Sequence, residues 1–343
     1  MWREFYSLIY IPNKYPYTEL KKQTIDGSRK YMTPDGFAVP SVTTILDATK
    51  PEEAKQFFPE ISVICTPASE HLDIAHSLLS VGSHLLIEKP LSNSQVGVVD
   101  LVKECQNNEK KMVVGYNLRF LNSLNQFKGY LDYGIVGDSL SVRCEVGQYL
   151  PNWRPDFDYR LSVSARENRG GGVLLELSHE IDYLMWIFGE IEWVQAILSK
   201  QSKLEIDVED SAHLILGFCR SGSRTGLIAT LNLDFIRHDA SRKCIVIGEK
   251  GTLLWDGITN QVFLLNAEER EWKILYEDDS GLDASYLNEW LHFKQCLEGI
   301  KDPLVSGIDG LRVLQVVDAA RQSSTTGCRE RVEKNEFKSS QSR

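Results

Sequence analysis

Lys89 is the first residue whose surroundings suggest chemistry. An apolar run, Leu85-Leu86-Ile87, passes without a turn into Glu88-Lys89-Pro90. Proline restricts the residue before it to an extended backbone. The Lys89 amine is thereby held at a strand tip, where it can face a developing negative charge. The plainer alternative is a surface lysine whose stem snorkels along apolar neighbours. A second cluster lies in Gly170-Gly171-Gly172-Val173-Leu174-Leu175-Glu176-Leu177-Ser178-His179-Glu180-Ile181-Asp182. Its glycines permit a tight start to a helix or a close approach of backbone to a ligand. Glu176, His179 and Asp182 recur at a spacing that sets them near one face of a continuous helix. A histidine beside carboxylates can titrate near neutrality and serve as acid or base. Taken alone, the pattern favours a satisfied helix histidine among solvated acids. N and O ligands from one helix face rarely enclose an ion, so no metal site is expected.

The elements that must position these groups follow a regular rhythm from about residue 61. Residues 61–67 form a short β-branched apolar run, which predicts a buried strand. A helix follows with Leu72, Ala75, Leu78 and Leu79 on one face, Ser69 as its N-cap and Gly82 as its stop. The run through Lys89 is the next strand. A second helix carries Val98, Leu101, Val102 and Cys105 on one face, and residues 111–120 read as a third strand. Strand, helix, strand, helix, strand implies parallel βαβ units. Ligands bind outside the carboxyl ends of such strands, where Thr66, Pro67, Glu88, Lys89, Pro90, Asn117 and Arg119 fall. Beyond Phe120, five alternating or β-branched stretches, one helix over residues 173–189 and two closing helices predict an α+β domain.

The totals narrow the function classes. The 343 residues carry a net charge of -10, which opposes a general nucleic-acid binder. The seven cysteines form no CxxC pair and read as reduced thiols of a cytosolic protein. No apolar run reaches the ~20 residues of a membrane helix, and the first residues lack the pattern of a signal peptide. A soluble, cytoplasmic protein is expected.

Residues 61–92, "VVGYNLRF", "GQYLPNWRPDFDYR" and "GGGVLLELSHEIDYLMWIFGE" resemble the Gfo/Idh/MocA oxidoreductases, in the family's order and over roughly residues 58–332. They are most similar to a branch associated with sialic-acid-like and surface-polysaccharide sugars. The resemblance implies an α/β fold: an incomplete Rossmann-like parallel sheet over 58–120, then an α+β domain over 121–332 with a large open, mostly antiparallel sheet, and a polar tail. It implies hydride transfer between NAD or NADP and a sugar or cyclitol carbon, and a homo-oligomer built through the open sheet. On the family's pattern Lys89 would stabilise the alkoxide and His179 would exchange the hydroxyl proton. Glu176 falls near the family's acidic position, with a different spacing to the histidine, and Asp182 would orient His179 or support the helix. Thr66, Pro67, His71, Glu88, Pro90 and Asn117 would line the cofactor. Arg119, Tyr149, Trp153, Arg154, Tyr159 and Arg160 would contact the substrate.

The first 57 residues depart from that pattern. They hold only Gly27 and Gly36, with no Gly-x-Gly-x-x-Gly and no ribose-binding acid after it. "SRKYMTPDGFAVPSVTTILDATKPEE" resembles instead the start of phage-type exonucleases related to the mitochondrial genome maintenance exonuclease, without the residues that would cut DNA. The two resemblances meet at residues 55–59. Two expectations follow: weakened or absent dinucleotide binding, and an apolar outer edge at residues 61–67 unless something covers it.

Overall fold

Short β-branched runs separated by amphipathic helices can bury both strand faces only in a parallel sheet with helices on either side. The computed structural model, which describes Ile9–Tyr10 and residues 59–219, 226–280 and 283–333, has such a sheet. It contains β1 (Ile9–Tyr10), β2 (Ile61–Ile64), β3 (His84–Glu88) and β4 (Met112–Gly115), all parallel and in that spatial order. Helices α1 (His71–Leu79) and α2 (Val98–Asn107) make the crossovers. The outer edge of β2 is not bare, because Ile9 and Tyr10 pair with Val63 and Ile64. The rest of the exonuclease-like segment, and the junction up to residue 58, lie outside the described residues.

Two local expectations are corrected here. Ser69 does not cap α1: Glu70 donates its N–H to Pro67 O at 2.9 Å and stands at the N-cap without a side-chain bond. The third strand stops at Gly115, and Asn117–Phe120 close a 3-10 turn, so Asn117 and Arg119 sit one turn beyond the tip.

The second sheet has nine strands in the order β12-β11-β10-β9-β5-β8-β7-β6-β13. They are β5 (Ser139–Gly147), β6 (Ile191–Ser199), β7 (Ser211–Phe218), β8 (Ile228–Asp234), β9 (Ser241–Gly248), β10 (Gly251–Asp256), β11 (Gln261–Asn266), β12 (Lys273–Glu277) and β13 (Glu330–Arg331). Neighbours are antiparallel except for the parallel pair β5–β8. Helix α3 (Asn122–Asp132) lies against β10–β12. The single helix expected over 173–189 breaks at Leu177-Ser178 into α4 (Val173–Glu176) and α5 (His179–Phe188).

The last two helices join the sheets. Phe293 of α6 (Asp283–Leu297) packs on Val63, Leu86 and Val113, one face of the parallel sheet. Helix α7 (Gly307–Thr326) packs on β6 and reaches β4, and starts from a reciprocal Ser306–Asp309 capping box. Its Gly307 lies so close to the Met112 side chain that a Cβ would collide with it. One continuous apolar core therefore runs from Ile64 and Ile87 to Val246 and Trp255. No helix among the described residues is long and apolar enough to cross a membrane.

Candidate active site

The tips of β2 and β3 are tied together by His71. Its Nδ1 lies 2.9 Å from Pro90 O and its Nε2 2.8 Å from Thr66 O. Burial pushes its pKa down, so a neutral ring donates to one carbonyl at a time. Thr66 is buried, with Oγ1 donating to Pro67 O at 3.3 Å. Lys89 leaves the tip of β3 through a cis bond to Pro90. Its Nζ donates to Glu176 O, the last residue of α4, at 2.7 Å and lies 3.7 Å from Glu176 Oε2. With side chains 17% and 20% exposed, the Lys89–Glu176 pair still meets solvent. In place of the alternative, a snorkelling surface lysine, the amine is drawn inward onto the second cluster.

That cluster owes its shape to the glycines. Gly170 and Gly172 have φ of 80° and 102°, conformations that disfavour a Cβ. A Cβ on Gly172 would meet Glu209 Oε1 at 2.5 Å, and Glu209 Oε1 itself accepts the Leu174 N–H at 3.0 Å. The close approach is thus to the chain's own carboxylate, which caps α4, rather than to a ligand. Because the helix is interrupted after Glu176, the three-residue spacing does not place Glu176, His179 and Asp182 on one face. Glu176 turns to Lys89, and His179 opens α5.

His179 is partly exposed, with Nδ1 buried and without a hydrogen-bond partner. Its ring stands edge-on to Tyr116, with centroids 5.5 Å apart, and Tyr116 Oη lies 3.2 Å from Ser178 Oγ. Desolvation, then the charges of Lys89 and Arg242, hold its pKa well below the ordinary histidine value. The lowered pKa favours the neutral ring. Next to it Glu180 is fully buried and accepts Arg242 Nε at 2.8 Å. Burial raises the Glu180 pKa against the pull of Arg242.

Asp182 serves a different purpose from orienting His179. Its oxygens accept Arg119 Nε at 2.9 Å and Nη2 at 2.7 Å. Arg119 is 4% exposed and also donates to Leu304 O at 2.9 Å, so it staples α5 to the segment before α7 and has no face for a substrate. Burial lifts the Asp182 carboxyl to about 6, with Arg119 pulling the other way. Arg160 is likewise committed, forming a fork with Asp158 and a bond to Glu205. Asn117 Nδ2 donates to Ser285 Oγ at 2.8 Å, joining the turn after β4 to α6. Tyr149 packs on His238 and Trp153 on Phe235, while Trp153, Arg154 and Tyr159 line a small cavity with Phe157.

Three participants are absent from the sequence candidates. Glu180 adjoins the histidine and is legible by position alone. Arg242 begins β9, far along the chain, and carries no signal. Glu289 of α6 is fully buried, with neither carboxyl oxygen hydrogen-bonded. Burial, then the charges of Glu88 and Asp182, raises its pKa well above the usual carboxylate range.

An amine and an imidazole converging between a parallel sheet and a large mixed sheet match a known family. The profile "Oxidoreductase family, C-terminal alpha/beta domain" of the Gfo/Idh/MocA proteins covers residues 128–332. The chain belongs to this family. The companion "NAD-binding Rossmann fold" profile covers residues 26–116 and so begins inside the stretch that resembles the exonucleases. The myo-inositol 2-dehydrogenase of Thermotoga maritima is 26% identical over 271 residues, 76% of each chain. The levoglucosan dehydrogenase of Pseudarthrobacter phenanthrenivorans is 33% identical over 150 residues, 41% of this chain and 36% of that protein. Two solved structures share the fold: levoglucosan dehydrogenase with NADH (TM-score 0.71, 21% identity, 80% of each chain) and the WlbA dehydrogenase of Bordetella pertussis with NADH and UDP-GlcNAcA (TM-score 0.70, 21% identity, 86% of this chain and 85% of that one).

The Gfo/Idh/MocA cofactor can be tested against the residues present. Buried polar groups without partners need a ligand or water, and His179 Nδ1, on a ring that feels the Lys89 charge, is such a group. The described residues therefore fit the nicotinamide end of a dinucleotide. At the phosphate end, the sequence holds no glycine-rich turn to present backbone N–H groups to a pyrophosphate.

Proposed function

We propose that the chain is an NAD(P)-dependent oxidoreductase acting on a hydroxyl or keto carbon of a sugar, nucleotide sugar or cyclitol, in the cytoplasm and in the synthesis of a surface polysaccharide. The reading is carried by the Lys89 amine, which reaches Glu176 O at 2.7 Å and so stands just before His179 on the site segment. The dinucleotide, when bound, supplies the hydride acceptor or donor. Lys89 holds the reacting oxygen and stabilises it as it gains negative charge. The neutral His179 ring takes the hydroxyl proton at Nε2 in the oxidative direction and returns it in reduction. Glu176 fixes the Lys89 amine. Thr66, Pro67, Glu88 and Asn117 form the wall beside the nicotinamide, and the loop of Tyr149, Trp153 and Arg154 covers the sugar.

The deciding experiment follows NAD(P)H absorbance with a panel of sugars, nucleotide sugars and cyclitols. A substrate-dependent rate in the wild type that Lys89→Met abolishes, with the fold retained by circular dichroism, is the expected result. Equal turnover in Lys89→Met would remove the amine from the mechanism. The missing glycine turn favours a second reading, in which the chain is a non-catalytic homo-oligomer. Isothermal titration separates the two: no heat from NADH or NADPH at millimolar concentration supports the second.

A further inference from the structure

Arg242 is a prepared fork whose purpose the reaction above does not supply. It stands at the start of β9 on the face that carries Cys244 and Val246, both buried, and so points toward the helices rather than away from them. Its stem is clamped. A Cβ on Gly257 would lie 2.9 Å from Arg242 Cδ and 2.8 Å from the Trp255 ring, so Gly257 leaves room for that stem and nothing more. One edge of the guanidinium is spent: Nε donates to Glu180 Oε1 at 2.8 Å. Glu180 follows His179, and the Arg242 charge is near enough to the imidazole to help lower its pKa.

The other edge is open. Among the described residues neither Nη1 nor Nη2 has a hydrogen-bond partner, and the side chain keeps 18% of its exposure. Three other arginines are already paired. Arg119 is consumed by Asp182 and Leu304 O, Arg160 by Asp158 and Glu205, and Arg237 by Glu145 and Asp239. A guanidinium gripped through Nε and free at both Nη atoms matches the two oxygens of a planar carboxylate end-on.

We propose that Arg242 reads a carboxylate on the substrate, and that the sugar acted on is an acidic one, a uronate or its nucleotide conjugate, rather than a neutral aldose or cyclitol. The inference rests on the oxidoreductase reading for the position of the sugar, since there Lys89 and His179 hold the reacting hydroxyl, and the charges of Lys89 and Arg242 both bear on the His179 ring. A neutral hydroxymethyl group would leave Nη1 and Nη2 desolvated without an anion, which is how a polar site rejects an analogue lacking its partner.

The test compares pairs that differ at one carbon: D-glucuronate with D-glucose, and UDP-glucuronate with UDP-glucose, with glucose 6-phosphate as a non-planar anion. The full chain is assayed for kcat/KM with NAD+ and with NADP+, and for ligand-induced thermal shift without cofactor. The expected result is a preference for the uronate of at least about tenfold within a pair, falling toward unity in Arg242→Gln and in Arg242→Lys. Arg242→Lys retains the charge without the fork and covers the case in which Arg242→Gln fails to fold. A preference that both variants share with the wild type, or one for the neutral sugar or the phosphate, overturns the proposal. If no sugar of any kind is turned over, the oxidoreductase reading fails. The thermal shift then still decides: a uronate-specific shift lost in both variants sustains Arg242 as a carboxylate site, and its absence from the wild type removes it.

Discussion

At the scale of single residues, the site is defined by groups kept in unusual protonation states. His179 is desolvated and faces two cations, Lys89 and Arg242, so its pKa falls from 6.5. A neutral base is then present well into mildly acid solution. The acid limb of kcat/KM for the oxidative direction should accordingly lie below 6.5, and a limb at or above that value would separate His179 from proton transfer. Glu289 shows the opposite behaviour. Its carboxyl is raised from 4.5 chiefly by burial, so the folded protein keeps a proton that the unfolded chain has released. The stability tied to that proton is fully present below 4.5 and is lost as pH rises through the folded value. Glu289→Gln keeps the shape and needs no proton. Melting curves between about pH 5 and about pH 9 should show the variant gaining on the wild type as pH rises, at no more than about 1.4 kcal/mol for each step of one in pH. A difference independent of pH would mean that Glu289 ionises freely.

At the scale of elements, the chain shows why some parts are legible in sequence and others are not. Helices α1 and α2 and strands β2 and β3 are plain, because their buried residues are local: Leu78 and Leu79, or Leu85 to Ile87. Strand β6 has no such signature, because its outward face carries Ile197, 64% exposed, so polar and apolar residues fail to alternate. The break between α4 and α5 is hidden for another reason. Residues 173–188 are helical in pattern throughout, and the interruption follows from tertiary partners: Glu209 at the start of α4, and Ser178 against Tyr116 at the start of α5. The Arg119–Asp182 pair, 63 residues apart, has no local signature either. It ties the site helix in place, joining the turn after β4 to α5 and, through Leu304, to the approach of α7. Removing one partner of a buried pair strands the other, so Asp182→Ala should lower stability by about 3–5 kcal/mol. Chemical denaturation measures it, and a loss under about 1 kcal/mol would show that Arg119 finds sufficient partners without Asp182.

At the scale of the whole molecule, the nine-stranded sheet has one face under α3, α4, α5 and α7 and one face without a helix among the described residues. The bare face is not uniformly polar. Ile197 of β6, Ile215 of β7 and Ile228 of β8 lie on neighbouring strands and are 64%, 42% and 40% exposed. Single exposed apolar residues are ordinary, but three set diagonally across neighbouring strands on one face suit a surface that meets a partner. The proposed homo-oligomer would bury this face against its own copy, and a self-complementary contact of that kind closes as a dimer. A charge placed at its centre would be desolvated without a counter-ion in both copies at once. Sedimentation velocity at micromolar concentration should therefore find the wild type as a dimer or higher closed oligomer and Ile215→Asp as a monomer, with the Asp182–Arg119 staple and the Lys89 site left in place because neither touches that face. An Ile215→Asp variant that sediments with the wild type, or a wild type that is monomeric at these concentrations, would leave the apolar face without the partner its composition calls for.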